Sequence, residues 1–459
     1  MKRVVVRRYY FAGFLSIAIL FGGMILAGCS NGESKFFKQA GRLNYFYLTD
    51  DGPGIATRLA DGRVVLFGGT DTDPTEPAAI RSGMPNRKKA EIYNPQDETS
   101  QQIDDTPYEL GGKKRSGTLL SSGKVLITCS DIGSFSPDAD DPTVCECGRF
   151  KSKQEVRDCE HATAILFDPA SRTYKRLFHL RPIRALATVT ALDDGRVIII
   201  GGSPGLKELA MLQMEDWKSY FGKNPTTEEM DRYDRFISKS LGTIQIYDPE
   251  RDTASEAGKL PYKGYLKGHA TISIEKGKYL TVGGYEENFG RPNYLRDVSI
   301  FLEGSKEYKK IAELNFPREG HSVVRLDSKR FLVVGGSNNF VTDKASGNRR
   351  VAELEIVDIE NKTCRVAGKF SSDSSTIPSV LPNGNVLLVT DHIVGLFDPK
   401  AETIHSVDSL IYERYGFSTV SSPDGNVYVF GGYKSHTDKI VEKFNFAAFR
   451  SFKPNGQIN

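Results

Sequence analysis

The sequence predicts an all-β protein, and the main support is a strand-like segment that recurs seven times. Each copy has a polar first residue, four mostly β-branched or aromatic residues and, in five copies, a closing Gly-Gly. Because a strand with one wet face would alternate, these apolar runs indicate strands covered on both faces. The copies are RVVLFGG (63–69), KVLITCS (124–130), RVIIIGG (196–202), KYLTVGG (278–284), RFLVVGG (330–336), NVLLVTD (385–391) and NVYVFGG (426–432).

Neighbouring segments extend each copy into a larger unit. Turn signals such as LADG and PNG precede most copies, which indicates a hairpin with an earlier strand. A third strand follows each copy: AEIYNP (90–95), AILFDP (164–169), IQIYDP (244–249), VSIFLE (298–303), LEIVDI (354–359), VGLFDP (394–399) and VEKFNF (441–446).

A further short motif predicts how the two ends of the chain meet. EAGKL (256–260) and VAGKF (366–370) follow third strands, which places them in a fourth, outer strand. FFKQAGRL (36–43) carries the same motif near the amino end, whereas the last unit has only three strands of its own. We therefore expect residues 36–43 to complete the last sheet, burying edges that would otherwise invite aggregation.

Repetition at about 50 residues with a double glycine resembles the kelch motif, and the resemblance covers essentially everything past residue 35. Kelch units are four-stranded blades, so the resemblance implies a seven-bladed β-propeller of the galactose oxidase central-domain type. It would span residues 36–446, with a tail at 447–459. Cys129-Ser130 and Thr390-Asp391 replace Gly-Gly in the second and sixth units.

The first 28 residues read as a targeting segment, with four basic residues before an apolar run. LAGC (26–29) resembles the lipobox of bacterial lipoproteins, which implies cleavage before Cys29, lipidation of that thiol and a tether over 29–35. Ser30 is typical of outer-membrane lipoproteins, so the expected location is the bacterial cell envelope, lipid-anchored at the outer membrane. The alternatives are an uncleaved anchor and, from Arg7-Arg8, a twin-arginine export signal.

The net charge of the chain indicates which kinds of partner to expect. The net charge of +3 on 459 residues gives no indication of a nucleic-acid partner. We expect a monomer that is attached to the membrane through the lipid on Cys29.

The longest loops are predicted to share one face. Strands alternate in direction, so the connections from second to third strand all emerge together, and long loops are commonly functional. Residues 203–243 in the third unit follow a helical period with a capping box, which predicts a helical insertion. It would be either a lid over the central opening or a decoration of its own blade. The connections are 70–89, 131–163, 203–243, 285–297 and 337–353.

Three arginines occupy one register of the repeat. Arg184, Arg318 and Arg414 lie twelve residues before their aligned strands, Asp51 and Asp373 hold that place in two other units, and Lys267 is one position off. In the vertebrate kelch adaptors that the chain resembles, similar arginines line the channel mouth and bind acidic peptides through bidentate contacts. The alternative is that they hold neighbouring loops through carbonyls and carboxylates.

Another register carries Arg115, His269 and His321, nine residues before their strands. Two histidines on adjacent inner strands could bind a metal, but no third ligand is visible and Gly-His is ordinary kelch consensus. Packing is the favoured interpretation of the two histidines, and no metal site is predicted. Arg115, His269 and His321, together with Lys267, are nevertheless counted with the three arginines as candidate ligand-binding residues at the channel mouth.

Cysteines and acidic loops offer weaker signals. In an oxidising compartment, Cys159 could form a disulfide with Cys145 or Cys147, since their spacing is not that of a zinc pair. Aspartates at 138–141 and acidic residues at 71–76 could hold calcium, although neither matches an EF-hand loop.

The expected function is a non-catalytic, membrane-anchored propeller lipoprotein that binds a protein or glycan, acidic if the arginines grip it, through its loop-elaborated face. The alternative is a periplasmic carbohydrate-active enzyme similar to sialic-acid epimerases or to copper-dependent galactose oxidases. The copper chemistry would need a Tyr joined to a Cys, a second Tyr and two His, and no such set is identifiable in the sequence. No cofactor is therefore expected.

Overall fold

The computed structural model describes residues 34–47, 54–71, 87–107, 110–132, 164–180, 184–185, 187–204, 241–288, 291–338, 350–370, 376–433 and 439–450. The chain divides into two compact units, Met1–Glu33 and Ser34–Asn459. The predicted signal peptide, Cys29 and the core of the helical insertion lie outside the described residues. Within the described residues, no helix has both the length and the apolar character needed to cross a bilayer.

The described part of the chain is built almost wholly of strands. The first half contains β1 (Phe37–Arg42), β2 (Ile55–Arg58), β3 (Val64–Gly69), β4 (Lys89–Asn94), β5 (Thr99–Ile103), β6 (Leu110–Leu119), β7 (Val125–Ile132), β8 (Ala164–Asp168), β9 (Thr173–Leu177), β10 (Arg184–Ala185), β11 (Thr188–Ala191), β12 (Val197–Ile200), β13 (Ser203–Pro204), β14 (Thr243–Asp248) and β15 (Thr253–Lys259).

The second half continues in the same manner and ends in one short helix. It contains β16 (Tyr265–Lys267), β17 (Ala270–Glu275), β18 (Lys278–Val282), β19 (Tyr285–Asn288), β20 (Arg291–Tyr294), β21 (Asp297–Leu302), β22 (Glu307–Glu313), β23 (Ser322–Arg325), β24 (Arg330–Val334), β25 (Glu353–Asp358), β26 (Thr363–Lys369), β27 (Ile377–Val380), β28 (Val386–Val389), β29 (Ile393–Asp398), β30 (Thr403–Ser409), β31 (Tyr415–Ser421), β32 (Val427–Tyr433), β33 (Ile440–Phe444) and α1 (Phe446–Arg450).

Among the described residues these strands form seven four-stranded sheets, and the prediction of an all-β fold is confirmed. Neighbouring strands within each sheet pair antiparallel, and their order follows the chain in six sheets. The sheets are β2-β3-β4-β5, β6-β7-β8-β9, β11-β12-β14-β15, β17-β18-β21-β22, β23-β24-β25-β26, β27-β28-β29-β30 and β31-β32-β33-β1.

The second strand of each sheet is the most buried, as its continuous apolar run predicts. Every residue of Val64–Gly69 is buried, and so is every residue of Val197–Ile200 and of Val386–Val389. The fourth strand is mostly exposed, as in Thr173–Leu177, where only Leu177 is buried. Burial therefore falls from the middle of each sheet to its outer edge.

The first strands of the sheets contact one another in a cycle. β2 contacts β6, and the succession continues through β11, β17, β23, β27 and β31, which contacts β2 again. Four-stranded sheets whose first strands meet in this way are consistent with a β-propeller.

The amino-terminal strand completes the last sheet, as the sequence predicts. Phe37 of β1 pairs with Phe444 of β33, and Lys38 pairs with Lys443. The Phe36 and Phe37 side chains are buried against Phe444. Two distant parts of the chain are thus joined by backbone pairing and by aromatic packing.

The repeated Ala-Gly motif fits one sheet against the next. Ala40 is fully buried at a bulge in β1, and Gly41 follows it with a φ of +90°. A Cβ on Gly41 would lie 2.0 Å from the carbonyl oxygen of Glu98, in the β4–β5 turn of the following sheet. A Cβ on Gly258 would lie 2.7 Å from the ring of Phe301, which is on the third strand of its following sheet. The motif recurs because glycine lets the following sheet pack closely on the preceding outer strand.

Candidate functional site

We call the side of the sheets that carries the second-to-third and fourth-to-first connections the loop face. The opposite side, with the turns at 59–63, 95–98 and 422–426, is the turn face. On the loop face β16, β19 and β20 form a separate three-stranded sheet, and β10 pairs with β13. Isolated bridges join Phe46 to Thr70 and Glu319 to Ser337. The loop face therefore carries structure that the four-stranded sheets do not contain.

Two of the predicted channel-mouth arginines are fully buried. The Arg318 guanidinium donates to a carboxylate oxygen of Glu355 at 2.7 Å and to the carbonyl oxygens of Gly335 and Glu353, both at 3.0 Å. Arg414 repeats this set with Glu442 at 2.6 Å. Neither arginine side chain is exposed to solvent. This corrects their placement at an open mouth, because the contacts are those of the alternative in which the arginines hold loops.

The acidic partners of these arginines also bind the incoming chain. Glu355 accepts hydrogen bonds from the backbone nitrogens of Asn315 at 2.6 Å and Phe316 at 3.2 Å. Glu442 accepts the equivalent bonds from Ile411 and Tyr412. A buried carboxylate on the third strand therefore fixes the connection that arrives from the preceding sheet. Burial raises the pKa of Glu442, while Arg414 and the two N–H groups oppose that rise.

The same carboxylate recurs in the first sheet, where tyrosine replaces arginine. Glu91 accepts from the backbone nitrogen of Asn44 at 2.9 Å and from that of Tyr45 at 3.3 Å. Tyr47 follows Asn44 by three residues, as Arg318 follows Asn315. It is buried, and burial together with Glu91 raises the pKa of its hydroxyl well above the usual value.

Sequence reasoning missed these four residues, Glu91, Glu355, Glu442 and Tyr47. A signal for the glutamates was present, since each is the second residue of a predicted third strand and follows an apolar residue, in AEIY, LEIV and VEKF. Asp51 and Asp373, which lie twelve residues before their aligned strands as the arginines do, are outside the described residues.

The described hydrogen-bond partners of Arg184 are neutral groups. Its guanidinium donates to the carbonyl oxygen of Thr243 at 2.7 Å, to the Thr243 hydroxyl at 2.9 Å and to the carbonyl oxygen of Gly201 at 3.2 Å. Burial lowers its pKa to about 9, which still leaves it charged at neutral pH. Gln245 stands at the position that Glu355 occupies in the fifth sheet.

Lys267 lies on the three-stranded sheet of the loop face. Its ammonium group is 2.5 Å from a carboxylate oxygen of Glu287 and lies 5.2 Å and 5.0 Å from the ring centroids of Tyr265 and Tyr285. Tyr285 stacks on Tyr294 with ring centroids 5.3 Å apart. Burial, with Glu319 and Glu287 nearby, raises the pKa of Tyr285. We call these five residues the Lys267 cluster: Lys267, Glu287, Tyr265, Tyr285 and Tyr294.

The two Gly-His histidines are packing residues. His269 is buried, and a Cβ on Gly201 of the preceding sheet would lie 2.6 Å from its Cε1 atom. His321 has the same relation to Gly283, at 2.8 Å. The imidazoles fill the space beneath the double glycine of the preceding sheet, which explains why both motifs recur together. His269 also contacts the Thr188 hydroxyl at 3.1 Å.

Other predicted residues cannot be placed in a site. The backbone of Arg115 pairs with Cys129 in β6–β7, and nothing further is described of its side chain. Cys145, Cys147 and Cys159 lie outside the described residues, as do both acidic loops except for Asp71, which contacts Lys89. Their predicted roles stay predictions.

Metal ligands of the His, Cys, Asp and Glu types are scattered over the described residues. Among them, no three His, Cys, Asp or Glu side chains come close enough together to hold a metal ion. His269 and His321 are packed under separate glycines. The described free cysteine, Cys364, lies on an outer strand, where burial raises the pKa of its thiol to about 12.

Comparison with known proteins supports the fold. No family model matches the chain. The tRNA wybutosine-synthesizing protein 4 of Candida glabrata is 23% identical over 189 residues, which are 39% of this chain and 27% of that protein. The matched part thus spans about a quarter of the length of that curated relative.

A solved structure shares the architecture more widely. A fungal alcohol oxidase of the AA5 family, determined in complex with copper, matches with a TM-score of 0.56 and 12% sequence identity. The match covers 90% of this chain and 76% of the oxidase chain. At this identity the likeness is one of fold alone.

Proposed function

We propose that the chain is a seven-bladed kelch-type propeller lipoprotein, anchored through Cys29 in the bacterial outer membrane, that binds a protein or glycan partner without catalysis. The observation that carries the proposal is the separate sheet β16–β19–β20 on the loop face. The closed cycle of first strands and the double-glycine repeat support the seven-bladed kelch arrangement.

The binding surface centres on the outer strand of that sheet. Pro292 and Asn293 of β20 are exposed, while Tyr294 is buried beneath them in the Lys267 cluster. Buried aromatic residues hold the hairpin in place, and a rigid exposed strand loses little conformational entropy on binding. Because the Arg318 and Arg414 guanidiniums are occupied by their own sheets, recognition is assigned to this strand and not to an arginine-lined mouth.

A pair of matched substitutions tests this surface. Asn293→Arg changes the loop face, and Gln96→Arg makes the same change at an exposed turn-face position. The two variants and the unchanged protein are applied to an array of acidic and neutral glycans and to envelope proteins in solution. We expect Asn293→Arg to lower the affinity for the partner by at least about tenfold, or about 1.4 kcal/mol. Gln96→Arg should leave that affinity unchanged.

Equal binding by all three proteins would exclude β20 as the contact. Metal analysis of the purified mature protein distinguishes the non-catalytic proposal from the copper-dependent alternative. Stoichiometric copper would contradict a non-catalytic role.

A further inference from the structure

The fourth sheet lacks the buried glutamate that holds the arriving chain in the first, fifth and seventh sheets. Ser299 stands where Glu355 stands in the fifth sheet, as the second residue of the predicted third strand. Ser299 is buried, and a serine side chain is much shorter than that of glutamate. The segment that arrives in the fourth sheet therefore needs another acceptor for its backbone.

Glu286 of β19 is that acceptor. One of its carboxylate oxygens accepts hydrogen bonds from the backbone nitrogens of Lys263 and Gly264, both at 2.8 Å. The carboxylate that holds the arriving chain thus comes from the three-stranded sheet of the loop face and not from the third strand of the four-stranded sheet.

The backbone donors occupy the same register in the fourth and fifth sheets. Lys263 lies 15 residues before its aligned second strand at Lys278, and Asn315 lies 15 residues before Arg330. In both sheets the next residue along the chain supplies the second donor. The bonds to Glu286 are therefore equivalent to those that Glu355 accepts in the fifth sheet.

Glu287, the next residue of β19, provides the counter-charge. Its carboxylate lies 2.5 Å from the Lys267 ammonium group, and both side chains are largely buried. In the fifth sheet Glu355 alone binds both the arriving backbone and Arg318. Successive residues of a strand point to opposite faces, so Glu286 and Glu287 divide these two roles between the two faces of the three-stranded sheet.

Glu286 also connects the exposed strand β20 to the inner strand β17. It pairs with Leu266 of β16 on one side and with Asn293 of β20 on the other. β16 ends at Lys267, and β17 begins at Ala270, so only residues 268 and 269 separate them. β17 in turn contacts β11 and β23 in the cycle of first strands. One glutamate therefore lies between the proposed binding surface and the segment that leads into the inner strand.

We infer that Glu286 is a positioning residue for partner binding, and that it couples β20 to the chain segment that leads into β17. The inference rests on the proposed function, since it takes β20 as the contact. A hairpin that is fixed before binding loses less conformational entropy when a partner binds. Because coupling is reciprocal, loosening residues 263–267 weakens binding at β20, and a partner on β20 slows the opening of residues 263–264.

Amide hydrogen exchange tests whether Glu286 holds the arriving segment. Glu286→Ala removes the acceptor, Glu286→Gln keeps an acceptor oxygen, and Glu307→Ala removes an exposed carboxylate from β22 of the same sheet. We expect the amides of Lys263 and Gly264 to exchange at least about tenfold faster in Glu286→Ala, because bonds to a charged acceptor are lost. Glu286→Gln should increase these rates less, and Glu307→Ala should leave them unchanged. The amides of β21 should keep their rates in all three variants.

Binding measurements on the same full-length variants test the coupling. The probe is a glycan or envelope protein from the array that binds the unchanged protein and loses affinity on Asn293→Arg. We expect Glu286→Ala to lower the affinity for this probe at least about fivefold. Glu286→Gln should lower it less, and Glu307→Ala should leave it unchanged. The probe should also slow amide exchange at residues 263–264 of the unchanged protein.

The outcomes separate this inference from the proposed function. Unchanged exchange at residues 263–264 in Glu286→Ala would overturn the positioning role, and so would an equal increase in β21, which would show a global loss of stability. Faster exchange at residues 263–264 with unchanged affinity for the probe would overturn the coupling and leave the proposed function in place. The absence of any ligand that is sensitive to Asn293→Arg would overturn the proposed function, and the coupling with it.

Discussion

Arg318 and Glu355 form an ion pair of 2.7 Å in which neither side chain is exposed to solvent. The pair joins a first-strand connection to the third strand of the same sheet, and Glu355 also holds the arriving backbone at Asn315. Arg414 and Glu442 repeat the arrangement two sheets later. Such pairs determine where each connection sits before it enters the inner strand.

Replacing Arg318 with methionine is expected to destabilise the protein by about 3–5 kcal/mol, because Glu355 would stay buried without its counter-charge. Arg330→Met removes a half-exposed pair with Asp327 and should cost no more than about 1 kcal/mol. Urea unfolding of the two variants measures the difference. Similar midpoints for both variants would contradict a structural role for the buried pair. A triple arginine-to-alanine variant would therefore report on folding before it reported on ligand binding.

The strands were predictable because their signals are local. Each apolar run bounded by turn residues appears in the sequence whole, and so does the Ala-Gly motif that led to the pairing of β1 with β33. The direction of the arginine side chains was not predictable from register alone. Twelve residues separate Arg318 from its aligned strand, but the spacing does not tell whether the guanidinium points to solvent or to a carboxylate on the third strand.

Tyr47 shows a second limit. It lies sixteen residues before Arg63, whereas Arg318 lies twelve before Arg330, so counting back from the aligned strand selects Asp51 instead. Four additional residues in this connection displace the register. The equivalence is seen only in the hydrogen bonds that the backbone nitrogens of Asn44 and Tyr45 donate to Glu91. Tertiary contacts, not sequence spacing, define such positions.

The contact between Gly283 and His321 predicts how much folding stability is lost when a methyl group is added at Gly283. Gly283→Ala places a Cβ 2.8 Å from the His321 Cε1 atom and 2.8 Å from the Arg318 carbonyl oxygen, at a φ of +56°. Gly62→Ala is the control, since Gly62 has a φ of +91° and no atom within 4 Å of the added Cβ. Both should lose about 1–2 kcal/mol through backbone strain. Gly283→Ala should lose about 1–3 kcal/mol more through overpacking.

Thermal or urea unfolding of the two glycine variants provides the measurement. His321→Ala removes one of the two contacts. Gly283→Ala should therefore destabilise the His321→Ala variant less than it destabilises the unchanged protein. Equal destabilisation by Gly62→Ala and Gly283→Ala would show that backbone conformation, and not packing under the double glycine, accounts for the motif.

The pairing of β1 with β33 predicts that a substitution in the amino-terminal strand strongly lowers the stability of the last sheet. Phe37→Ala removes a buried ring that packs on Phe444 and should cost about 3–5 kcal/mol. Gln39→Ala, on the exposed side of the same strand, should change stability by no more than about 0.5 kcal/mol. Hydrogen exchange should show faster exchange in β33 for Phe37→Ala. Unchanged exchange in β33 would mean that β1 does not secure the last sheet.

Asp252 predicts how acid weakens the contact between the second and third sheets. Its carboxylate accepts from the backbone nitrogens of Phe178 at 2.9 Å and His179 at 3.0 Å and from the Tyr247 hydroxyl at 2.5 Å. Burial alone would raise its pKa, but these donors prevail and lower it to about 2. Because the folded-state pKa lies below the unfolded value, the stabilisation is complete above about pH 5 and is lost as the pH falls toward 2.

Asp252→Asn should cost about 1–2 kcal/mol of folding stability at pH 7, allowing for solvent screening, and much less near pH 2. Urea unfolding across this range measures the difference between the two proteins. A difference that stays constant with pH would exclude the Asp252 charge as its source.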